Sequence, residues 1–397
     1  MPSHADTQRL GRLQNGMAQA GLDAVVCRLP ENVLYVTGYW PVIGASTAVL
    51  TKDGDVTLIP PRSELDYVAR GWVADVRPYR FVSMENTANA NRDTKPLLER
   101  VVVEKGLERA RIGYEGSFEL VAANNVAGEA RVFAETTLRM LRDSAPNASP
   151  VDATAVLLRA RAVKSAAEID AIRRANEIAA FGYEAGARAI RAGATEAEVA
   201  AAVEARAYGA GVGHRGTERA RGFCFAMSGP NSANSWRPFC MSTAKKLAPG
   251  EPVLVELNTY ADGYFGDLTR TFVVGGEPDA RTKSMFAAVR TAIDEVIAAV
   301  RPGVRARDLD ALARRSLAGH GLADKFPHQL GHGVGLQFHD PCPILHPASE
   351  DVLEEGMALA VEPAVYIEGW GGVRMEENLI VTARGCDSLC AYPRGGA

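Results

Sequence analysis

Four strand-like segments in the last third of the chain each carry an acid or a histidine where a buried strand would place an apolar side chain. They are D-L-T-R-T (267–271), G-H-G-V-G (331–335), V-E-P (361–363) and R-M-E-E-N (374–378), and they supply Asp267, His332, Glu362 and Glu376. A fifth acid, Glu256, lies upstream in P-V-L-V-E-L-N-T-Y (252–260). An acid inside an apolar strand is costly to bury alone. A fold that accepts these segments must therefore offer them a cation, either a metal or an arginine. One histidine among carboxylates suits a divalent ion such as Mn, Co, Fe or Zn and does not suit a thiolate zinc site. Two such ions about 3.5–4 Å apart hold a hydroxide and polarise a carbonyl, which is the logic of metal-assisted amide hydrolysis.

The segments also suggest how the candidates are presented. Glu256 and Asp267 fall on two arms of a hairpin turning at A-D-G (261–263), which can place both carboxylates on one face. Taken alone, Asp267 also fits a pair with Arg270. H-Q-L-G-H-G-V-G-L-Q-F-H (328–339) holds three of the seven histidines of the chain. Glycines on both sides of His332 allow close backbone approach, so His332 is the expected metal ligand. His339 is the candidate for holding a substrate carbonyl or the oxyanion made from it, and His328 is a supporting position. Glu362 interrupts an apolar run that Pro363 then ends. Residues 369–382 read as one strand in which Glu376 and Glu377 face opposite ways. Arg374 and Asn378 share the face of Glu376, so Arg374 is expected to orient a carboxylate.

The rest of the chain reads as α/β. An amphipathic helix is expected over 8–22, strands over 24–27, 33–39 and 111–115, and a hairpin over 47–59 around K-D-G-D. This makes an N-terminal domain of residues 1–150, closed by a Pro/Ser/Asn-rich junction at 143–150. Capping boxes S-A-A-E (165–168) and T-E-A-E (195–198) open two helices of a second domain, 155–397. R-A-G-A-T-E-A-E-V (191–199) resembles R-P-G-V-R-A-R-D-L (301–309), aligning Gly193 with Gly303 and Gly211 with Gly321. The similarity is either chance between two Ala/Arg-rich helices or a true repeat, which implies two halves related by a pseudo-two-fold, with a site between them. At net charge −4, with 23% charged residues, there is no basic surface for nucleic acid. No apolar stretch is long enough for a membrane span, and the N-terminus is not a secretory signal. A cytoplasmic protein is expected, with its six scattered cysteines, Cys240 among them, as free thiols.

Taken together, D-L-T-R-T-F, H-x-x-G-H-G-x-G-L…H, V-E-P-x-x-Y and G-x-R-x-E-E-N resemble the creatinase/prolidase/aminopeptidase P superfamily, the pita-bread metallopeptidases. The resemblance covers about 155–397, preceded by a creatinase-like α/β domain. It implies a C-terminal pita-bread fold and two divalent metal ions. Asp267 and Glu376 would bridge them, His332 and Glu362 would complete one, and Glu256 the other. Glu362 would also shuttle a proton. It further implies hydrolysis of a C–N bond in an Xaa-Pro dipeptide or small amide, and a homodimer.

Two departures qualify the resemblance. The superfamily has Asp where this chain has Glu256, although Asn258 and Asp262 lie close by in sequence. Trp236 stands near the point where a histidine is usual, in S-G-P-N-S-A-N-S-W-R-P (228–238), so Trp236 and Arg237 suggest a pocket for a flat, apolar or anionic group. Plain packing is the other reading of Trp236. Relatives that act on small metabolites (creatinase, ectoine hydrolase, a dimethylsulfoniopropionate lyase) and non-catalytic peptide-binding domains of the same fold are the alternative functions. Tyr39 and Trp40 are candidate substrate contacts from the N-terminal domain.

Overall fold

The computed structural model describes residues 4–42, 44–81, 90–116, 134–237, 241–275 and 277–394; Pro238 and Cys240 fall outside these ranges. The chain divides into two compact units, Met1–Arg161 and Ala162–Ala397.

The first unit is built on one six-stranded sheet. Across it run Asp75–Val76, Val56–Ile59, Thr47–Thr51, Ala24–Cys27, Arg111–Tyr114 and Ser149–Asp152. Helices Ala90–Glu104 and Glu135–Ser144 bury Leu98, Val101, Val102, Met140 and Leu141 with Val26, Val49, Ile59 and Ile112 of the sheet.

Three expectations are corrected here. The apolar run 33–39 is not a strand but most of helix Pro30–Thr37, with Pro at its first turn and a left-handed Gly38 (φ 70°) ending it. The chain just before the helix is held by Glu115, whose carboxylate accepts from Arg28 N at 2.8 Å and Leu29 N at 3.0 Å. That contact comes from more than 80 residues away in the sequence, beyond the reach of local patterning. The supposed junction is partly structured: Ser149–Asp152 pairs in parallel with Arg111–Tyr114. Pro150 is tolerated because this is an edge strand. Tyr39 is only 1% exposed, with its hydroxyl donated to Glu64.

In the second unit both capping boxes form, opening helices Ala166–Ala189 and Glu196–Gly211. They pack on a sheet of Ala220–Ser228, Pro252–Ala261 and Tyr264–Val273, burying Ala179, Tyr183, Val199 and Val203 against Val253, Val255, Leu257 and Leu268. The repeat is visible as backbone detail. Gly193 N donates to Leu247 O and Gly303 N to Leu353 O, both at 2.9 Å, and the return bonds Leu247 N to Ala194 O and Leu353 N to Val304 O are both 2.8 Å. Helices Ala280–Ala299 and Ala306–Gly319 of the second copy accompany a five-stranded sheet ordered Asp340–Leu345, Gly331–Gly333, Ala358–Val361, Glu377–Val381, Cys386–Ser388.

Residues 369–382 are not one strand. Gly371–Arg374 pairs with Ala364–Ile367, and the chain breaks at Met375–Glu376 before Glu377–Val381 joins the five-stranded sheet. The break changes sheets, and it is where Glu376 leaves the ladder. Among the described residues no helix is long and apolar enough to cross a membrane.

Candidate metal centre

The hairpin of Pro252–Ala261 and Tyr264–Val273 turns on Asp262 (φ 48°) and Gly263 (φ 96°), the paired positive φ of a two-residue turn. Its register sets Asn258 opposite Asp267 and Glu256 opposite Thr269, so all four share one face. Asp262 is occupied at the turn, where it accepts from Arg219 N at 2.9 Å. Arg270, on the other face, pairs with Glu377 at 2.7 Å rather than with Asp267.

His332 sits in the short central strand Gly331–Gly333. A Cβ on Gly331 would lie 2.0 Å from Ala360 O, and one on Gly333 2.5 Å from Cys342 O, so both flanking glycines are required by backbone crowding. The His332 Nδ1–H donates to Gly333 O at 2.8 Å, which leaves Nε2 with its lone pair turned inward. Glu362 follows Ala358–Val361 and is tied by its N–H to Leu330 O at 2.8 Å. Glu376 N donates to Thr269 O at 3.1 Å, and Thr269 Oγ1 donates to Glu376 Oε2 at 2.7 Å.

These residues converge. His332 Nε2 lies 3.7 Å from Asp267 Oδ2 and 3.6 Å from Glu362 Oε1. His332, Glu362 and Glu376 form one group whose ligand atoms lie within 4.8 Å of one another, and Asp267, His332 and His339 form another. Two donors about 2.1 Å from a common ion at the tetrahedral angle are about 3.4 Å apart, so the spacing fits a metal. The Nε2 of His332 and the Oδ1 of Asp267 are buried without a hydrogen-bond partner among the described residues. Orphaned, inward-facing ligand atoms are what a metal site presents.

The electrostatics agree. Burial, with Glu376, Glu256 and Glu362 nearby, holds the Asp267 carboxyl well above the usual carboxylate range. Burial and Glu376 raise Glu362 similarly. Burial lifts Glu376 to about 7 against the pull of Arg374, and lowers His332 to about 4. Buried acids that repel one another around a neutral imidazole are ready for a multivalent cation.

The remaining candidates separate into distinct positions. His339 Nε2 is 3.7 Å from Asp267 Oδ2, with 44% of its side chain exposed, so it stands at the mouth of the centre. His328 has both ring nitrogens engaged: Nδ1 donates to Gln329 O at 2.7 Å and Nε2 accepts from the Tyr366 hydroxyl at 3.0 Å. Burial takes it down to about 3. Buried Arg374 donates to Glu256, to Thr269 Oγ1 at 2.9 Å and to Tyr366 Oη at 3.2 Å, and lies 3.8 Å from Glu362. Trp236 is 40% exposed, with the Arg237 guanidinium 5.4 Å over its ring. With Arg237, Lys325 and Tyr366 it lines an open cavity of about 390 Å³.

Sequence reasoning gave no role to Thr269 or Tyr366, although both lie in the quoted motifs, and passed over the Lys164–Asp340 pair. Thr269 was detectable, because it lies two residues from Asp267 on the same strand face. Buried Lys164 meets Asp340 at 3.1 Å beside Gly335 and fastens the loop that carries His339. No local pattern joins residues so far apart in the chain.

Comparison with known proteins extends this geometry. Residues 170–383 match Metallopeptidase family M24, and residues 9–163 match the Creatinase/Prolidase N-terminal domain. A Xaa-Pro dipeptidase of Pyrococcus furiosus is 30% identical, over 98% of this chain and 99% of its own. A putative dipeptidase of Bacillus subtilis, YkvY, is 28% identical over 97% and 98%. Among solved structures, the prolidase of Pyrococcus horikoshii superposes with a TM-score of 0.77 at 28% identity, covering 98% of this chain and 99% of that one. The dipeptidase PepE of Mycobacterium ulcerans gives 0.75 at 29%, covering 99% and 98%. The fold is thus a creatinase-type N-terminal domain followed by a pita-bread domain. The chain belongs to metallopeptidase family M24, and it is a metal-dependent hydrolase of the peptidase class.

Proposed function

We propose that this protein hydrolyses Xaa-Pro dipeptides at the centre formed by Asp267, His332, Glu362 and Glu376. The inward, partnerless Nε2 of His332, among buried Asp267 and Glu376 and half-buried Glu362, carries the reading. The names of the similar dipeptidases supply the substrate class. A divalent ion of the Mn, Co, Fe or Zn group would supply Lewis acidity, lowering the pKa of a water and polarising the scissile carbonyl.

The chain's own residues do the rest. Asp267, Glu376, Glu362 and His332 would hold the cation. Glu362, with its carboxyl held protonatable by burial, receives the proton of the attacking water and passes it to the leaving nitrogen. His339, at the mouth, donates to the oxygen that becomes the oxyanion. Arg374 keeps Glu256 and Tyr366 in place, and Tyr366 in turn holds His328. The cavity beside Trp236 and Arg237 receives one end of the substrate. By analogy with the family resemblance, the protein works as a homodimer, which sedimentation would measure.

Hydrolysis of Ala-Pro and Gly-Pro by Mn²⁺-supplied enzyme, with a loss of at least about a hundredfold in His332→Ala, is the expected result. Failure on every dipeptide, combined with turnover of a small non-peptide amide, would transfer the protein to the metabolite-hydrolase reading. The Trp236 cavity is the feature that favours that second reading.

A further inference from the structure

Resting on the Xaa-Pro reading above, we infer that Tyr260, Phe265 and Phe338 form an aromatic wall that receives the side chain of the first residue of the dipeptide, and that this wall selects large apolar and aromatic side chains there. The hairpin places it. The register that sets Asn258 opposite Asp267 and Glu256 opposite Thr269 also sets Tyr260 opposite Phe265. Alternation along each strand puts both rings on the face that carries Asp267. The other face is used in the core, where Leu257 and Leu268 pack with Ala179, Tyr183 and Val203 of the helices. From Tyr260 the ring contacts run unbroken to the metal centre. Centroids are 5.7 Å apart for Tyr260 and Phe265, 5.9 Å for Phe265 and Phe338, 4.6 Å for Phe338 and His339, and 4.4 Å for His339 and His332. Phe265 N donates to Gly335 O at 2.7 Å, which fixes the strand to the loop bearing Phe338 and His339. Phe338 is buried, whereas Tyr260 and Phe265 are half-buried beside the exposed His339. Rings left partly open at the mouth of a polar centre are surface that an apolar ligand group covers favourably.

The face also has a direction. At one end Glu256 and Thr269 hold Arg374, which donates to Tyr366, a residue lining the cavity of Arg237 and Lys325. At the other end stand Tyr260 and Phe265, and Asp267 lies between. An Xaa-Pro dipeptide with its scissile carbonyl at the centre has a carboxylate on the proline side and a variable side chain on the other. The carboxylate belongs at the cationic end, so the variable side chain falls against the rings. One added methylene in an apolar pocket is worth about tenfold or more in kcat/KM, so Phe-Pro and Leu-Pro are favoured over Gly-Pro.

Steady-state kinetics of the full-length, Mn²⁺-supplied enzyme on Phe-Pro, Leu-Pro and Gly-Pro test this, in the wild type and in Phe265→Ala and Phe265→Leu. The wild type is expected to show a kcat/KM at least about tenfold higher for Phe-Pro than for Gly-Pro. Phe265→Ala is expected to collapse that ratio toward one. Phe265→Leu, which keeps an apolar wall and carries the test if the alanine variant does not fold, is expected to lower it less. Free L-phenylalanine is expected to inhibit the wild type more strongly than free glycine. A wild-type preference for Gly-Pro, or a ratio of Phe-Pro to Gly-Pro that the substitutions leave as it was, would overturn the wall while leaving the Xaa-Pro reading intact. Turnover of none of the three dipeptides would overturn that reading, and the wall with it.

Discussion

His328 and His332, four residues apart, show how environment assigns different work to the same side chain. Each gives its Nδ1–H to a neighbouring carbonyl, but Tyr366 fills the Nε2 of His328 while that of His332 faces carboxylates. The acids around His332 set a pH dependence. Glu376, raised to about 7, keeps its proton below that pH and gives it up above. Asp267 and Glu362 are raised by burial and by their neighbours as well, and a metal must displace the protons these carboxyls hold, so Mn²⁺ affinity is expected to fall as the pH drops, by about tenfold per unit for each proton displaced. Calorimetric titrations between pH 6 and 8 measure this, and an affinity independent of pH would refute it. Lys164→Met is expected to lower kcat more than it raises KM, because it frees the His339 loop, and to destabilise the fold by about 3–5 kcal/mol by removing the buried cation that Asp340 meets. Steady-state kinetics and chemical denaturation separate the two effects.

At the scale of elements, the site depends on places where strands are interrupted or crowded. Asp267 is fixed along the chain by Asn378, which accepts from Asp267 N at 3.0 Å and donates to Asp267 O at 2.7 Å. Asn378→Ala leaves both backbone groups buried and unsatisfied, and is expected to cost about 2–4 kcal/mol in denaturant unfolding. Arg270 fastens the C-terminal segment to the same strand through Tyr392 O at 2.9 Å and Pro393 O at 2.7 Å, and it pairs with Glu377. Arg270→Met should cost about 3–5 kcal/mol. Gly331→Ala would drive a methyl into Ala360 O, and the expected outcome is weakened metal binding along with lowered thermal stability.

For the whole molecule, the repeat makes a symmetric prediction. Gly193 and Gly303 take φ of 83° and 86°, and a Cβ at either would meet nothing within 4 Å. Alanine at either position therefore costs only left-handed backbone strain, about 1–2 kcal/mol. The two substitutions should lower stability by nearly equal amounts in parallel denaturation curves. A large inequality would show that the two halves do not share this turn as a structural equivalent.

Local pattern in the chain was enough for the mixed α/β class, both capping boxes and the hairpin carrying Glu256 and Asp267, and it singled out the acids and histidines that the fold then gathers. These are written in local periodicity, in turn chemistry and in the anomaly of charge inside apolar strands. The tertiary structure decided what depends on distant partners. Glu115 holds the entry to a helix that reads as a strand, and an edge position lets Ser149–Asp152 pair despite Pro150. The change of sheet at Met375–Glu376 frees Glu376, and Arg374, 118 residues away in the chain, takes Glu256. Charge is legible in a sequence. Which countercharge will meet it is settled only when the chain has folded, because burial and proximity set the energy of the pairing.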